Sequence, residues 1–94
     1  MTQQAYGTAS FAATQNALST TAEVIFAARP TRTRAVVKNI DSSITVYVGE
    51  ADTVTSSTGM TLLAGESIAL FTSAAVYAIA ASGTPTVALV EEFE

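Results

Sequence analysis

Short runs of alternating apolar and polar residues, each ended by Gly, Pro, Asp or Ser, constrain the fold of this chain most strongly. In the clearest run, "ITVYV" at residues 44–48, Ile44, Val46 and Val48 share one face. Similar runs recur about every ten residues, and no segment keeps a helical period for three turns. The pattern predicts an all-β fold: a single antiparallel β-sandwich or jelly-roll-like barrel of about seven or eight short strands.

Turn chemistry sets the expected strand boundaries. The strands on either side of residues 41–43, "DSS", are predicted to form a hairpin, because short polar side chains bond their own backbone in turns. The Gly- and hydroxyl-rich segment 49–59 is interpreted as a connection that crosses between sheets, and residues 64–67 as a tight turn. The main predicted strands are 22–27, 32–40, 44–48, 67–71, 76–80 and 86–90.

The first 18 residues differ from the rest of the chain. They are polar, rich in alanine and weakly patterned, although a short strand could form around Phe11. Residues 1–18 are therefore predicted to be an extended N-terminal arm, and residues 19–94 a β-sandwich domain. Because a terminal arm is ordered only where something binds it, we expect this arm to order on a neighbouring subunit.

Most catalytic chemistry lacks the side chains it requires. The 94 residues include no cysteine and no histidine, so this chain alone cannot form a Ser-His-Asp or Cys-His arrangement. Glu50 and Asp52 are followed by hydroxyls rather than by the regularly spaced oxygen ligands of a calcium loop. The nearby glycines lack the lysine and helix start of a phosphate-binding loop. We therefore expect a protein that is not an enzyme and that has no cofactor and no bound metal.

Charge is scarce and clustered. Only 13% of the residues are charged, about half the usual fraction, and the net charge of −4 argues against nucleic acid as a partner. The C-terminal "VEEFE" carries three acids. These clusters are typical either of a solvated strand edge and an acidic tail, or of complementary surfaces between subunits. The basic residues occupy one ten-residue window: Arg29, Arg32, Arg34 and Lys38.

Membrane association and aromatic binding platforms are both weakly supported. The longest apolar tract covers about nine residues near 73–81, whereas a bilayer span needs about 20. The N-terminus has no basic cluster followed by an apolar run, so no signal peptide is predicted. Tyr6, Tyr47 and Tyr77 could form a platform for sugars or single strands, but packing of Tyr47 and Tyr77 at the sandwich rim is favoured.

The order of short motifs from residue 34 onward is more specific than any single motif. A Val-x-Asn and "VYVG" are followed by "GMTLLAGES", "YAIAASGT" and an acidic final strand. Over residues 34–92 this order resembles small β-sandwich proteins of tailed bacteriophage virions, best of all head decoration, or cement, proteins. The resemblance implies a virion structural protein on the capsid exterior, made in the host cytoplasm. Its implied partners are the major capsid protein and further copies of itself, with a trimer favoured.

Two alternatives remain open at this stage. Related modules occur in other virion parts, so the chain could be a tail, neck or fibre component. A carbohydrate-binding β-sandwich is the other alternative. For assembly, we expect the arm to bind a neighbour and the basic window to face an acidic surface on another subunit. The candidate assembly contacts are Tyr6, Phe11, Arg29, Arg32, Arg34, Lys38 and Tyr47.

Overall fold

The computed structural model describes residues 10–94, so Tyr6 lies outside it. Within this range eight strands form two antiparallel four-stranded sheets, and no helix is present. This confirms the predicted all-β sandwich. The strands are β1 (Ser10–Ala17), β2 (Glu23–Phe26), β3 (Arg32–Asn39), β4 (Val46–Gly49), β5 (Met60–Leu62), β6 (Ser67–Leu70), β7 (Val76–Ala80) and β8 (Thr86–Phe93).

The strand order is that of a jelly roll. Sheet A has the order β1-β8-β3-β6, and sheet B has the order β2-β7-β4-β5. The pairs β1–β8, β2–β7, β3–β6 and β4–β5 are nested, so the chain is one long antiparallel ribbon with its tip between β4 and β5. The β3–β8 and β4–β7 pairs roll this ribbon into two sheets.

The core between the sheets consists mainly of valine and alanine. Alternation along β3, β7 and β8 places every second side chain inward, which is the period of a half-buried strand. Residues 10–17 of the predicted arm form β1, and Leu18 after them is buried in the core. The buried apolar residues of the core are Leu18, Phe26, Ala35, Val37, Val46, Val48, Leu62, Val76, Ala78, Ala80, Val87 and Leu89.

The connections at residues 41–43 and 49–59 each have the role that the sequence predicted for the other. The prediction of a β3–β4 hairpin is wrong, because β3 belongs to sheet A and β4 to sheet B. The segment 49–59 was expected to cross between sheets, but it joins the neighbouring strands β4 and β5 within sheet B. All the remaining connections between successive strands of residues 10–94 lead from one sheet to the other. A short polar turn is compatible with either geometry, and pairing with distant strands decides between them.

A buried asparagine explains why the chain leaves sheet A at this turn. Asn39, at the end of β3, is fully buried. Its Nδ2 donates to the carbonyls of Ile44 and Leu62 at 2.8 and 2.9 Å, and its Oδ1 accepts from the N–H of Asp41 at 3.0 Å. The side chain therefore ties the end of β3 to β5 and to the start of the chain that leads into β4.

Asp41 completes the turn, and this makes the turn sensitive to pH. Its Oδ2 accepts the N–H groups of Ser43 at 3.0 Å and Ile44 at 2.8 Å. These bonds hold the pKa of Asp41 below its ordinary value of 3.8. A lowered pKa in the folded state means that the carboxylate stabilises the fold above the unfolded-state pKa. That stabilisation is lost as the pH falls through the folded-state pKa.

We expect Asp41→Asn to flatten the loss of stability that acid causes below about pH 4. The amide keeps an acceptor oxygen for the turn but does not titrate. Thermal unfolding at a series of pH values between about 2.5 and 6 measures the effect. Asp41→Ala is the matched control, since it should lower stability at neutral pH as well. An acid slope equal to that of the unsubstituted protein would contradict the role given to Asp41.

The β4–β5 loop folds back over the outward face of sheet B. The side chain of Val54 is buried there, against Gly49 and Gly59 and beside Tyr47. A Cβ built on Gly49 would lie 2.5 Å from Cγ2 and 2.8 Å from Cβ of Val54. Gly49 is therefore required for the close approach of this loop.

We expect Gly49→Ala to lower the free energy of unfolding by about 1–3 kcal/mol, because the added methyl group must displace Val54. Urea denaturation followed by circular dichroism measures this loss. Val54→Ala removes the nearest atom, so the double variant should lose less than the sum of the two single variants. Strictly additive losses would show that the two side chains do not compete for the same space.

Candidate protein-contact site

Arg32 is buried where the start of β3 meets the end of β8, and it joins two connections. Its guanidinium donates to the carbonyl of Ala27, after β2, and at 2.9 Å to those of Thr72 and Ala74, between β6 and β7. Its Nε donates to Oε1 of Glu91 at 3.2 Å. The side chain of Arg32 has no exposed surface. It therefore stabilises the fold and offers no side-chain surface to a partner.

The other arginines of the basic window also find partners within the chain. The Nε of Arg29 lies 3.6 Å from Oε1 of Glu91, and its guanidinium lies 3.8 Å from the centre of the Phe93 ring. On the outward face of sheet A, Nη2 of Arg34 lies 3.4 Å from Oε2 of Glu92. The basic window and the acidic C-terminal strand thus neutralise each other largely inside one molecule. Electrostatic attraction to a partner is weaker than the formal clustering of charge indicates.

Three of the sequence-predicted contact residues share the outward face of sheet A. Phe11 on β1 is 71% exposed, while Arg34 and Lys38 lie on β3. Lys38 is exposed and makes no ion pair with residues 10–94. The register brings further residues to the same face: Ala13, Gln15, Val36, Ser67, Ala69, Ala88, Val90 and Glu92.

Sequence reasoning missed the apolar members of this face, although a signal was present. Val36 and Val37 are adjacent on a strand, so one of them must face outward. In the same way, Val90 is adjacent to Leu89 and Phe71 to Leu70, so one residue of each pair must face outward. Phe71 follows β6 and is 77% exposed. Two adjacent apolar residues on a strand therefore indicated an outward apolar surface, but only the register shows that these positions lie side by side.

Strand β1 stands at the edge of sheet A with little cover on either face. Seven of its eight residues are exposed, and Asn16 is half-buried. β1 pairs with β8 along its whole length, from Ser10 opposite Phe93 to Ala17 opposite Thr86. No strand within residues 10–94 pairs with its other edge. The backbone groups along this edge are open to a partner.

The outward face of sheet B carries two of the tyrosines. Tyr47 lies opposite Ile79, and Tyr77 lies opposite Gly49 on β4 and opposite Val24 on β2. Both tyrosines are half-buried. Tyr47 is beside the Val54 loop described above, which fills the space over Gly49. The two rings are therefore diagonal neighbours on a face that the chain partly covers.

A cleft of about 240 Å³ opens between the two sheets, along the edge formed by β5 and β6. Its lining is almost entirely apolar, so it offers few groups that would fix the orientation of a polar ligand. The described residues contain no cluster of three or more acidic side chains that could hold a metal ion. Between residues 10 and 94, no helix has the length and apolar character that a bilayer span requires. The cleft is lined by Val48, Gly49, Glu50, Met60, Ile68, Leu70, Thr72, Ala74, Ala75 and Val76.

Comparison with known proteins relates the chain by fold and not by sequence. No protein-family model matches it, and no curated protein matches it in sequence. Among solved structures, it is similar to the stem and receptor-binding domain of the spike protein P1 from bacteriophage PM2, with a TM-score of 0.65 and 16% identity. The chain shares its fold with a virion spike protein. The match covers 87% of this chain but only 33% of the spike chain, about a third of its length.

A second similar structure comes from an external bacterial fibre. It belongs to Bacillus endospore appendages, which form disulfide-linked pili; the TM-score is 0.54 and the identity is 13%. The match covers 89% of this chain and 85% of the appendage chain. The present sequence has no cysteine, so it cannot supply a disulfide of its own. At these identities the two likenesses establish the β-sandwich fold alone.

Proposed function

We propose that this protein is a structural subunit of a tailed-phage virion, and specifically a decoration protein that binds the major capsid protein on the capsid exterior. The observation that carries this proposal is the exposure of β1, whose eight-residue backbone edge and two faces are left open by the rest of residues 10–94. The fold shared with a phage spike domain supports the assignment to a virion.

An open edge of this kind is unusual in a protein that acts alone. Soluble proteins generally protect edge strands with lysine, proline, a bulge or a covering loop. The sequence of β1, "SFAATQNA", has no charged residue and no proline, and its pairing with β8 has no register shift. Pairing of this edge with a strand of another protein would satisfy its backbone groups. β1 is therefore the segment of the described chain best suited to attachment on a capsid.

Several weak attachments can add up to stable decoration. Specific interfaces bury about 1,200–2,000 Å² in total, and one β1 edge can cover only a small part of such an area. A homotrimer presents three such edges at once, and the linked contacts strengthen binding by avidity. We therefore propose that the protein acts on the capsid as an oligomer, with the trimer that the sequence resemblance implies.

The second candidate function is a spike or fibre module of the virion. It is favoured by the similarity to the stem and receptor-binding region of the phage PM2 spike protein. In that role, the open edge of β1 would join successive modules rather than attach a subunit to the capsid.

The location of the chain on purified virions of the phage that encodes it distinguishes the two functions. Gold-labelled antibodies raised against the chain, viewed by electron microscopy, should mark the head evenly if the protein is a decoration protein. Labels restricted to the tail, vertices or fibres would replace that function with the second candidate. Intact particles that carry no label, and no copy of the chain by mass spectrometry, would overturn the virion assignment.

A further inference from the structure

The outward face of sheet A is ordered into three rows that run across the strands β1, β8, β3 and β6. Opposite residues of paired strands share a face, so the register defines the rows. Phe71, one residue past β6, continues the first row. The rows are Phe11, Glu92, Arg34 and Phe71; then Ala13, Val90, Val36 and Ala69; then Gln15, Ala88, Lys38 and Ser67.

This face is too apolar for one that only meets water. Along the strands of an antiparallel sheet, residues normally alternate between apolar on the inward face and polar on the outward face. Here the middle row is entirely apolar, and the first row ends in two phenylalanines that are 71% and 77% exposed. None of the twelve positions is buried by residues 10–94. Single exposed apolar residues are ordinary, but a contiguous patch marks a contact surface.

We propose that this face binds the same face of a second copy of the chain, about a two-fold axis parallel to the strands between β8 and β3. Such a rotation exchanges β8 with β3 and β1 with β6. In the first row, Glu92, which pairs with Arg34 of its own copy at 3.4 Å, then also meets Arg34 of the second copy, so the four side chains form one alternating charge cluster. Phe11 meets Phe71 of the second copy. The rows are therefore complementary to themselves, which an isologous interface requires.

The middle row fits the same axis. Val90 meets Val36 of the second copy, and Ala13 meets Ala69 of the second copy, so large residues pack at the centre and small ones at the sides. Two stacked sheets keep their strands aligned within about 30°, so the row correspondence holds best near the centre of the face. The middle row thus brings only apolar side chains together across the interface.

Charge also excludes the other face-to-face arrangement with two-fold symmetry. An axis perpendicular to the strands would set the first row against the third. Arg34 would then meet Lys38 of the second copy, and like charges at an interface suppress association. The distribution of Arg34, Lys38 and Glu92 therefore selects the axis parallel to the strands.

The size of the face indicates a weak dimer. Three strands of eight residues and one of four, spaced about 4.8 Å apart with about 3.4 Å per residue, give a face of about 450 Å². Two such faces bury about 900 Å², less than the roughly 1,200–2,000 Å² that stable specific interfaces bury in total. We expect a dissociation constant in the micromolar range. This two-fold contact is separate from the trimer proposed on the capsid, and it does not depend on the proposed role in a virion.

Charge-reversal variants test the pairing directly by analytical ultracentrifugation. Arg34→Glu places carboxylates at both positions of the pair, and Glu92→Arg places guanidinium groups at both. Each variant alone should dimerise at least about 10-fold more weakly than the unsubstituted protein. An equimolar mixture should recover dimer, because each carboxylate then meets a guanidinium on the other copy. Thermal unfolding verifies that both variants are folded at the assay temperature.

An exposed apolar residue on each sheet supplies a matched pair of variants. Phe71→Lys should weaken the dimer about 10-fold or more, since most of this side chain is exposed in a single copy and is covered in the dimer. Val24→Lys, on the outward face of sheet B, should leave dimerisation unchanged. Three results would each overturn the proposal: a monomer at about 100 µM, a mixture of the charge variants that stays monomeric, or an oligomer that Val24→Lys disrupts and Phe71→Lys does not.

Discussion

Arg32→Met is expected to lower the free energy of unfolding by about 3–5 kcal/mol, because it breaks a hydrogen-bonded ion pair whose arginine side chain is fully buried. The guanidinium donates to three backbone carbonyls and to Glu91 from a site with no exposed side-chain surface. Methionine fills a similar volume but leaves the three carbonyls without this donor. Glu91 keeps the Arg29 guanidinium, 3.6 Å away, as its remaining ion pair among residues 10–94. Urea denaturation at neutral pH measures the loss.

The neighbouring Arg29 provides a control for the same change. Arg29→Met also removes a pair with Glu91, but the Arg29 side chain is 39% exposed, so we expect a loss below about 1 kcal/mol. Arg32→Lys should lie between the two, because an ammonium group keeps the charge but cannot reach all the acceptors of a planar guanidinium. Equal losses for Arg29→Met and Arg32→Met would show that the buried donors of Arg32 do not support the fold.

Asn39→Asp is expected to lower the free energy of unfolding by about 2–4 kcal/mol at neutral pH. The change removes both Nδ2 donors, so the buried carbonyls of Ile44 and Leu62 lose their partners and face a carboxyl oxygen instead. Burial raises the pKa of the new carboxyl group, so the group is least damaging below its unfolded-state pKa. The deficit relative to the unsubstituted protein should therefore widen as the pH rises from about 4 to 7.

Asn39→Leu separates the charge from the lost hydrogen bonds. Leucine removes the same two donors and the acceptor for Asp41, but it does not titrate in this pH range. Chemical denaturation at several pH values should therefore give a deficit that is nearly constant for Asn39→Leu and rises for Asn39→Asp. Parallel pH profiles for the two variants would exclude a buried carboxylate as the cause.

The surfaces of this protein were less accessible to sequence reasoning than its fold class. Phe11, Arg34 and Lys38 were singled out by residue type, and the structure places them on one face of sheet A. Val36, Phe71, Val90 and Glu92 were not singled out, because their significance lies in the rows that pairing with distant strands creates. Whether β1 is covered on its inward face also depends on how far sheet B extends, which the sequence alone does not show.

The clustering of charge had a different explanation from the one that the sequence suggested. The basic residues near position 32 and the acidic residues near position 92 were interpreted either as a solvated strand edge and an acidic tail or as complementary surfaces between subunits. β3 and β8 are neighbours in sheet A, so Arg32 and Glu91, 59 residues apart, form a partly buried hydrogen bond. Sequence separation conceals such pairs, because only the strand order brings their ends together.

The sequence by itself determined that this chain forms short strands with one buried face, because the period of apolar residues and the chemistry of turns are local properties. It could not determine which turns remain within a sheet. "DSS" and residues 49–59 both satisfy turn chemistry, yet the first crosses between sheets and the second closes a hairpin. Only the tertiary structure decided this. Asn39 is buried through a hydrogen bond to Leu62, which is distant along the chain, and Val54 is buried against Gly49 and Gly59 because the loop folds back. The same non-local pairing produces the apolar rows of sheet A and the open edge of β1, on which the proposed contacts depend.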